Sequence, residues 1–135
     1  MKNYIDHIVL TVSNAKRSAE FYREVLDWEI IEQKDDYAYL TPNGRKYPRT
    51  DFMLVVGEPR DHKIEPNIFD RNRIGLDHFA FSVETLSELR DIESRLKRLG
   101  TEMENGGATG DGFGGTAIFC KDPDGMKIEF HLVNP

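Results

Sequence analysis

Near the start of the chain, apolar residues alternate with others. Ile8, Leu10 and Val12 share one parity; His7, Val9 and Thr11 share the other. A period of two marks a strand with one buried face, and the wholly apolar set is the face expected to pack on a helix. A helix is predicted next over Ala15–Leu26 with Asn14 as N-cap, because Ala19, Tyr22 and Leu26 fall on one side with Phe21 and Val25 beside them. Three strands follow, over Trp28–Gln33, Tyr37–Thr41 and Asp51–Val56, and Thr41-Pro42-Asn43-Gly44 supplies a turn. A second helix is predicted where Leu86, Leu89, Ile92, Leu96 and Leu99 recur at three-to-four spacing, with Gly100 ending it. Its other face carries Glu88, Arg90, Glu93 and Lys97. The last strands are placed at Thr101–Asn105, Thr116–Lys121 and Met126–Leu132, the final pair joined by the turn Asp122-Pro123-Asp124-Gly125.

The second half repeats the first. Ile5-Asp6-His7-Ile8-Val9-Leu10-Thr11-Val12 reads position by position against Leu76-Asp77-His78-Phe79-Ala80-Phe81-Ser82-Val83, 71 residues on. Only Ala80 against Val9 departs in size. Each half is therefore a βαβββ module and the fold class is α+β. Module one spans 1–56, module two 75–135, and the stretch 57–74, with Pro59, Pro66 and many charges, reads as a linker within one domain. Four strands and one helix bury only one sheet face well, so two such units need each other, within a chain or between chains.

The same parity argument singles out chemistry. In the last strand Ile128, Phe130 and Leu132 form the packing face, while Glu129 and His131 lie opposite with Val133. His7, His78 and Glu129 thus all project from faces turned away from the helices. Two neutral imidazoles and a carboxylate suit a divalent ion: Fe2+, Mn2+, Ni2+ or Zn2+, among which ligand identity does not choose. A lone strand histidine more often satisfies a hydrogen bond, and a lone strand glutamate is more often solvated. The metal reading draws its weight from the coincidence of equivalent repeat positions and shared parity. His131 is a candidate acid–base group or partner to a ligand, with a surface or dimer-contact role as the alternative. Tyr37 and Tyr39 share a parity and offer either phenolic hydrogen bonds or packing.

Charge and cysteine content narrow the partners. Lys and Arg number 18 against 24 Asp and Glu, a net charge of −6, which disfavours nucleic acid and anionic membrane surfaces. The single cysteine, Cys120, excludes an intrachain disulfide and reads as a buried structural thiol near a strand end. The first residues do not resemble a signal peptide and no apolar run can span a bilayer, so a cytoplasmic location is the default expectation. The glycine-rich stretch Gly106–Gly115 opens no helix and is no phosphate cradle; it is either a flexible lip, with Phe113 able to cover a ligand, or a plain hairpin loop.

Three pieces of the chain resemble the vicinal-oxygen-chelate superfamily of glyoxalases, bleomycin-resistance proteins and extradiol dioxygenases. Ile5-Asp6-His7-Ile8 with Phe21-Tyr22 before Val25-Leu26 is similar to its first module, and Leu76-Asp77-His78-Phe79 to the opening of its second. Phe119 through Asp122-Pro123-Asp124-Gly125 to Ile128-Glu129 is similar to its C-terminal hairpin. The resemblance implies an open, incomplete eight-stranded barrel around a cleft, metal ligands at His7, His78 and Glu129, a small-molecule substrate with two adjacent oxygens, and a homodimer. Glyoxalase I proteins of this kind supply a fourth ligand, a Glu in the last strand of module one. Met53 stands at the matching position, with Asp51 two residues back. A thioether is a poor ligand for hard ions, which points away from lactoylglutathione lyase and toward extradiol-dioxygenase-like or fosfomycin-transferase-like sites. The absence of Lys and Arg from the glycine-rich stretch disfavours phosphonate binding. A lyase or isomerase with three protein ligands, and a non-catalytic ligand-sequestering protein of the bleomycin-resistance type, are the alternatives.

Overall fold

A computed structural model describes residue 3 and residues 5–44, 52–112 and 114–132. Asp51, Phe113 and Val133, all named above, lie outside the described residues. The chain divides into two compact units, Met1–Pro66 and Asn67–Pro135.

The first unit runs β1 (His7–Thr11), α1 (Ala15–Leu26), β2 (Glu29–Gln33), β3 (Tyr37–Thr41) and β4 (Met53–Gly57). Its sheet has the order β1-β4-β3-β2, with β1 parallel to β4 and the other pairs antiparallel. The parallel pair requires a long crossover, which α1 and the β2–β3 hairpin provide. Asn14 caps α1, its side chain accepting from the Arg17 N–H at 2.9 Å. The helix buries Ala15, Ala19, Phe21, Tyr22 and Val25, while Leu10 and Val12 are buried in and just after β1. The expected apolar faces therefore form the core, and Tyr22 has no exposed surface.

The second unit runs β5 (His78–Val83), α2 (Leu86–Arg98), a 3-10 turn (Glu104–Gly106), β6 (Thr109–Gly110), β7 (Thr116–Lys121) and β8 (Lys127–Leu132). Its sheet order, β5-β8-β7-β6, reproduces that of the first unit. Thr85 and Glu88 close α2 with a reciprocal capping box. Leu89, Ile92 and Leu96 are buried, but Leu86 and Leu99, expected on the same stripe, remain exposed at the helix ends. The molecule is thus α+β, two open four-stranded sheets with one helix each. Among the described residues no helix is long and apolar enough to cross a membrane.

One expected strand does not form. Within Thr101–Asn105 only Met103 makes a bridge, to Cys120. The chain then turns through Asn105, Gly106 and Gly107, all at positive φ, and cannot continue extended. The strand that pairs with β7 is β6, inside the glycine-rich stretch, where Thr109 faces Ala117 and Gly110 faces Thr116. The sequence reading missed it because glycine weakens the strand signal.

The β7–β8 hairpin matters most for function, because it places Glu129. Asp122 starts the turn with a buried side chain whose Oδ1 accepts from the N–H groups of Asp124 and Met126, each at 2.9 Å. Gly125 sits at φ 83°, where a side chain would be strained. The register that follows sets Phe119 opposite Glu129 and Ala117 opposite His131.

Candidate functional site

β8 lies between β5 and β7, so both of its edges are hydrogen-bonded. Along it Ile128, Phe130 and Leu132 are buried, and Lys127, Glu129 and His131 are partly exposed. Its parallel neighbour β5 sets Ala80 beside Glu129 and Ser82 beside His131. His78 reaches across from the start of β5, and its Nε2 lies 3.2 Å from Glu129 Oε2. Phe119 forms a wall beside this pair, its ring 6.1 Å from the His78 ring and edge-on to it. Lys127 Nζ sits 4.6 Å above the same ring and pairs with Glu104.

Each histidine that opens a module is oriented by the aspartate before it. Asp77 Oδ1 lies 2.6 Å from His78 Nδ1, and Asp6 Oδ2 lies 2.7 Å from His7 Nδ1. An ionised carboxylate only accepts, so in both rings Nδ1 carries the proton. The His78 hydrogen bond, with help from the nearby charges of Arg71 and Lys127, holds the Asp77 carboxyl below its ordinary value and keeps it ionised. A neutral imidazole fixed in this way has its lone pair on Nε2, as a metal-binding histidine with a carboxylate partner requires.

The His78–Glu129 contact then has a consequence. With Nδ1 protonated, the Nε2 lone pair of a neutral His78 faces a carboxylate oxygen, acceptor against acceptor. A proton or a cation between them resolves the conflict. Two ligand atoms bound at about 2.1 Å to one ion, at a right angle, lie about 3 Å apart. The 3.2 Å separation fits that geometry, so the residues present fit a divalent ion.

The structure brings His78 and Glu129 together. His131 stands on the same face, paired with Asp111 rather than with His78. His7 stands in the other unit at the start of β1, with its own Asp6 partner. The register also corrects one correspondence. His7 pairs with Met53 as His78 pairs with Lys127, and Val9 pairs with Val55 as Ala80 pairs with Glu129. The first-unit counterpart of Glu129 is therefore Val55, not Met53. Both are buried and neither side chain is a ligand for a hard ion. Tyr37 and Tyr39 lie side by side on the half-exposed face of β3, their ring centroids 5.3 Å apart and the rings tilted by 34°.

Sequence reasoning missed the roles of four residues, Asp6, Asp77, Phe119 and Asp111. The two aspartates were visible as a repeated Asp-His pair, but not as the groups that fix each ring. Phe119 was visible only through the hairpin register. Asp111 looked like any loop aspartate, and its contact with His131 spans 20 residues of chain.

A family model described as the Glyoxalase/Bleomycin resistance protein/Dioxygenase superfamily matches residues 4–130. The chain belongs to that superfamily. Among relatives, catechol-2,3-dioxygenase of Bacillus subtilis is 29% identical over 98% of this chain, which spans only 42% of that enzyme's length. Metallothiol transferase FosB of Bacillus licheniformis is 30% identical over 94% of this chain and 73% of its own. A solved glyoxalase/bleomycin resistance protein/dioxygenase domain from Frankia sp. EAN1pec superposes with a TM-score of 0.81 at 26% identity, covering 99% of this chain and 94% of that one. Superfamily members of this kind are typically metal-dependent and act on small molecules.

Proposed function

We propose that this superfamily member is a metal-dependent enzyme that chelates two adjacent oxygens of a small substrate on a divalent ion held by His7, His78 and Glu129. His7 comes from the first unit of the same chain or of a second copy in a homodimer. Extradiol-dioxygenase-like ring opening is the leading chemistry. The observation that carries the reading is the facing pair of acceptors, His78 Nε2 and Glu129 Oε2, at 3.2 Å, with Asp77 fixing the ring so that a proton or a cation must lie between them. The matching Asp6–His7 pair supports His7 as the third ligand. When bound, the ion would supply Lewis-acid polarisation of the substrate oxygens and open positions for them.

The chain's own residues do the rest. Asp6 and Asp77 hold each imidazole in its ligating tautomer. Phe119 offers an aromatic wall beside the ligands, suited to a flat ring. Val55 and Met53 add no fourth ligand, so three protein groups leave more of the ion open than a four-ligand lyase site does. A glyoxalase-type lyase or isomerase is the second reading, favoured by the same open positions; oxygen-independent turnover would select it.

The test is metal content by mass spectrometry on protein purified without an affinity tag, wild type beside Glu129→Ala. Near-stoichiometric iron, manganese, nickel or zinc, lost in the variant, is the expected result, and the element ranks oxygenase against lyase. No metal, with no uptake of any of the four, would sink the enzyme reading in favour of a ligand-sequestering protein of the bleomycin-resistance type.

A further inference from the structure

Beside the proposed ligands, Asp111, Glu129 and His131 bring ligand-type atoms within 4.8 Å of one another. Asp111 lies in the glycine-rich segment between β6 and β7, yet its side chain is only 2% exposed, against 28% for His131. Its Oδ1 accepts from the Gly115 N–H at 3.0 Å, and its Oδ2 is in hydrogen-bond contact with His131 Nε2. Its own N–H donates to the Gly115 carbonyl at 3.2 Å, so the loop is closed from both sides. The approach is tight. A Cβ on Gly115 would come within 2.5 Å of Asp111 Oδ2, 2.7 Å of His131 Nε2 and 2.8 Å of the Leu132 carbonyl.

A carboxylate cannot donate, so His131 carries its proton on Nε2. At His7 and His78 the aspartate sits on the other nitrogen, Nδ1. The three rings therefore fall into two classes. His7 and His78 keep a lone pair on Nε2, whereas neutral His131 keeps one only on Nδ1. We propose that Asp111 is a positioning residue that holds His131 in the tautomer opposite to that of His7 and His78 and leaves its Nδ1 as an acceptor for a hydroxyl of a vicinal-diol ligand. The inference rests on the metal reading above for the site at which that ligand binds. His131 shares the face of Glu129 two residues along β8, so its ring stands beside the proposed carboxylate ligand.

Nitrogen NMR of 15N-histidine protein reads the tautomers directly, since the chain has four histidines and single substitutions assign them. Spectra are taken where the imidazoles are neutral, first metal-free and then with zinc. His131 is expected to be protonated at Nε2 in both, with a slowly exchanging, strongly deshielded proton from a charge-assisted bond. Zinc is expected to shift Nε2 of His7 and His78 only. Asp111→Ala and Gly115→Ala are each expected to lose the deshielded proton, and Asp111→Ala to keep wild-type zinc stoichiometry. Zinc-loaded wild type is expected to bind catechol about tenfold more tightly than zinc-loaded Asp111→Ala. A lone pair on Nε2 of His131, loss of its proton on adding zinc, or a second zinc that vanishes in Asp111→Ala overturns the proposal. Equal catechol binding by both proteins, or binding by neither, overturns the acceptor role. If Asp111→Ala does not fold, the wild-type tautomer and Gly115→Ala still decide. Retention of the His131 signal in a protein that takes up no zinc would refute the metal reading and leave the Asp111 contact standing.

Discussion

Replacing Asp122 by alanine should unfasten the hairpin that sets Glu129 in place. The Asp122 carboxylate accepts two backbone N–H bonds at 2.9 Å, from Asp124 and Met126. Asp122 is 5% exposed and Met126 6% exposed, so water does not readily replace the lost acceptor at Met126. Hydrogen bonds to a charged partner contribute about 1.5–3 kcal/mol each, and an orphaned buried donor costs as much again as its desolvation. Asp124 is only part-buried and recovers a water, so the second bond counts for less. The expected loss is about 3 kcal/mol for Asp122→Ala. Asp122→Asn keeps an oxygen at the same place and loses only the charge assistance, at about 1 kcal/mol. Urea unfolding followed by circular dichroism reads both. With a slope of about 2 kcal/mol per molar, the alanine midpoint falls by about 1.5 M and the slope is unchanged. An alanine variant within 1 kcal/mol of wild type, or an asparagine variant as damaged as the alanine, would refute this account of the turn.

Other outcomes follow from single groups. Thr41 is fully buried and its hydroxyl has no hydrogen-bond partner among the described residues, so the near-isosteric Thr41→Val is expected to stabilise by about 1 kcal/mol in the same urea assay; a loss of that size would show that the hydroxyl is satisfied after all. Burial, reinforced by the negative charge of Asp122, pushes the Cys120 thiol up to about 12. Since only the thiolate reacts, alkylation of the native protein at pH 8 should run about a thousandfold slower than for a free cysteine, and ordinary reactivity would contradict the burial. His131→Gln is expected to cut turnover while leaving metal content intact; metal lost along with turnover would make His131 structural.

The residues spoke clearly where one local signal sufficed. Asn14 before an apolar stripe marked α1, and the boundaries of β3 and β7 coincide with those expected because turns flank both. β8 starts at Lys127, one residue late, and β2 at Glu29 rather than Trp28, small shifts set by where the ladders close. The parity that turned Glu129 and His131 away from the core holds, because Ile128, Phe130 and Leu132 are buried between them. What stayed hidden depends on pairing across the chain. β6 is two residues long and contains Gly110, so it had no strand signature of its own. Asp111 acquires its role only when the Gly110–Thr116 and Thr116–Leu132 registers carry the loop to the end of β8. The same registers could have been drawn once the glycine-rich stretch was read as a strand partner rather than a loop. The Val55 correspondence likewise needs the parallel register of β1 and β4, which sequence spacing alone left two residues out.

The alternation along β8 has a bearing on how such proteins diversify. Folding stability is vested in Ile128, Phe130 and Leu132, while the positions between them carry Lys127, Glu129 and His131 on the opposite side of the same strand. A codon change at 129 or 131 leaves the residues that hold the sheet on its helix untouched. Selection can therefore try new reactive groups on this strand without first repairing the scaffold. A single ancestral framework could in this way pass through many chemistries, each inheriting a core that its predecessors had already secured.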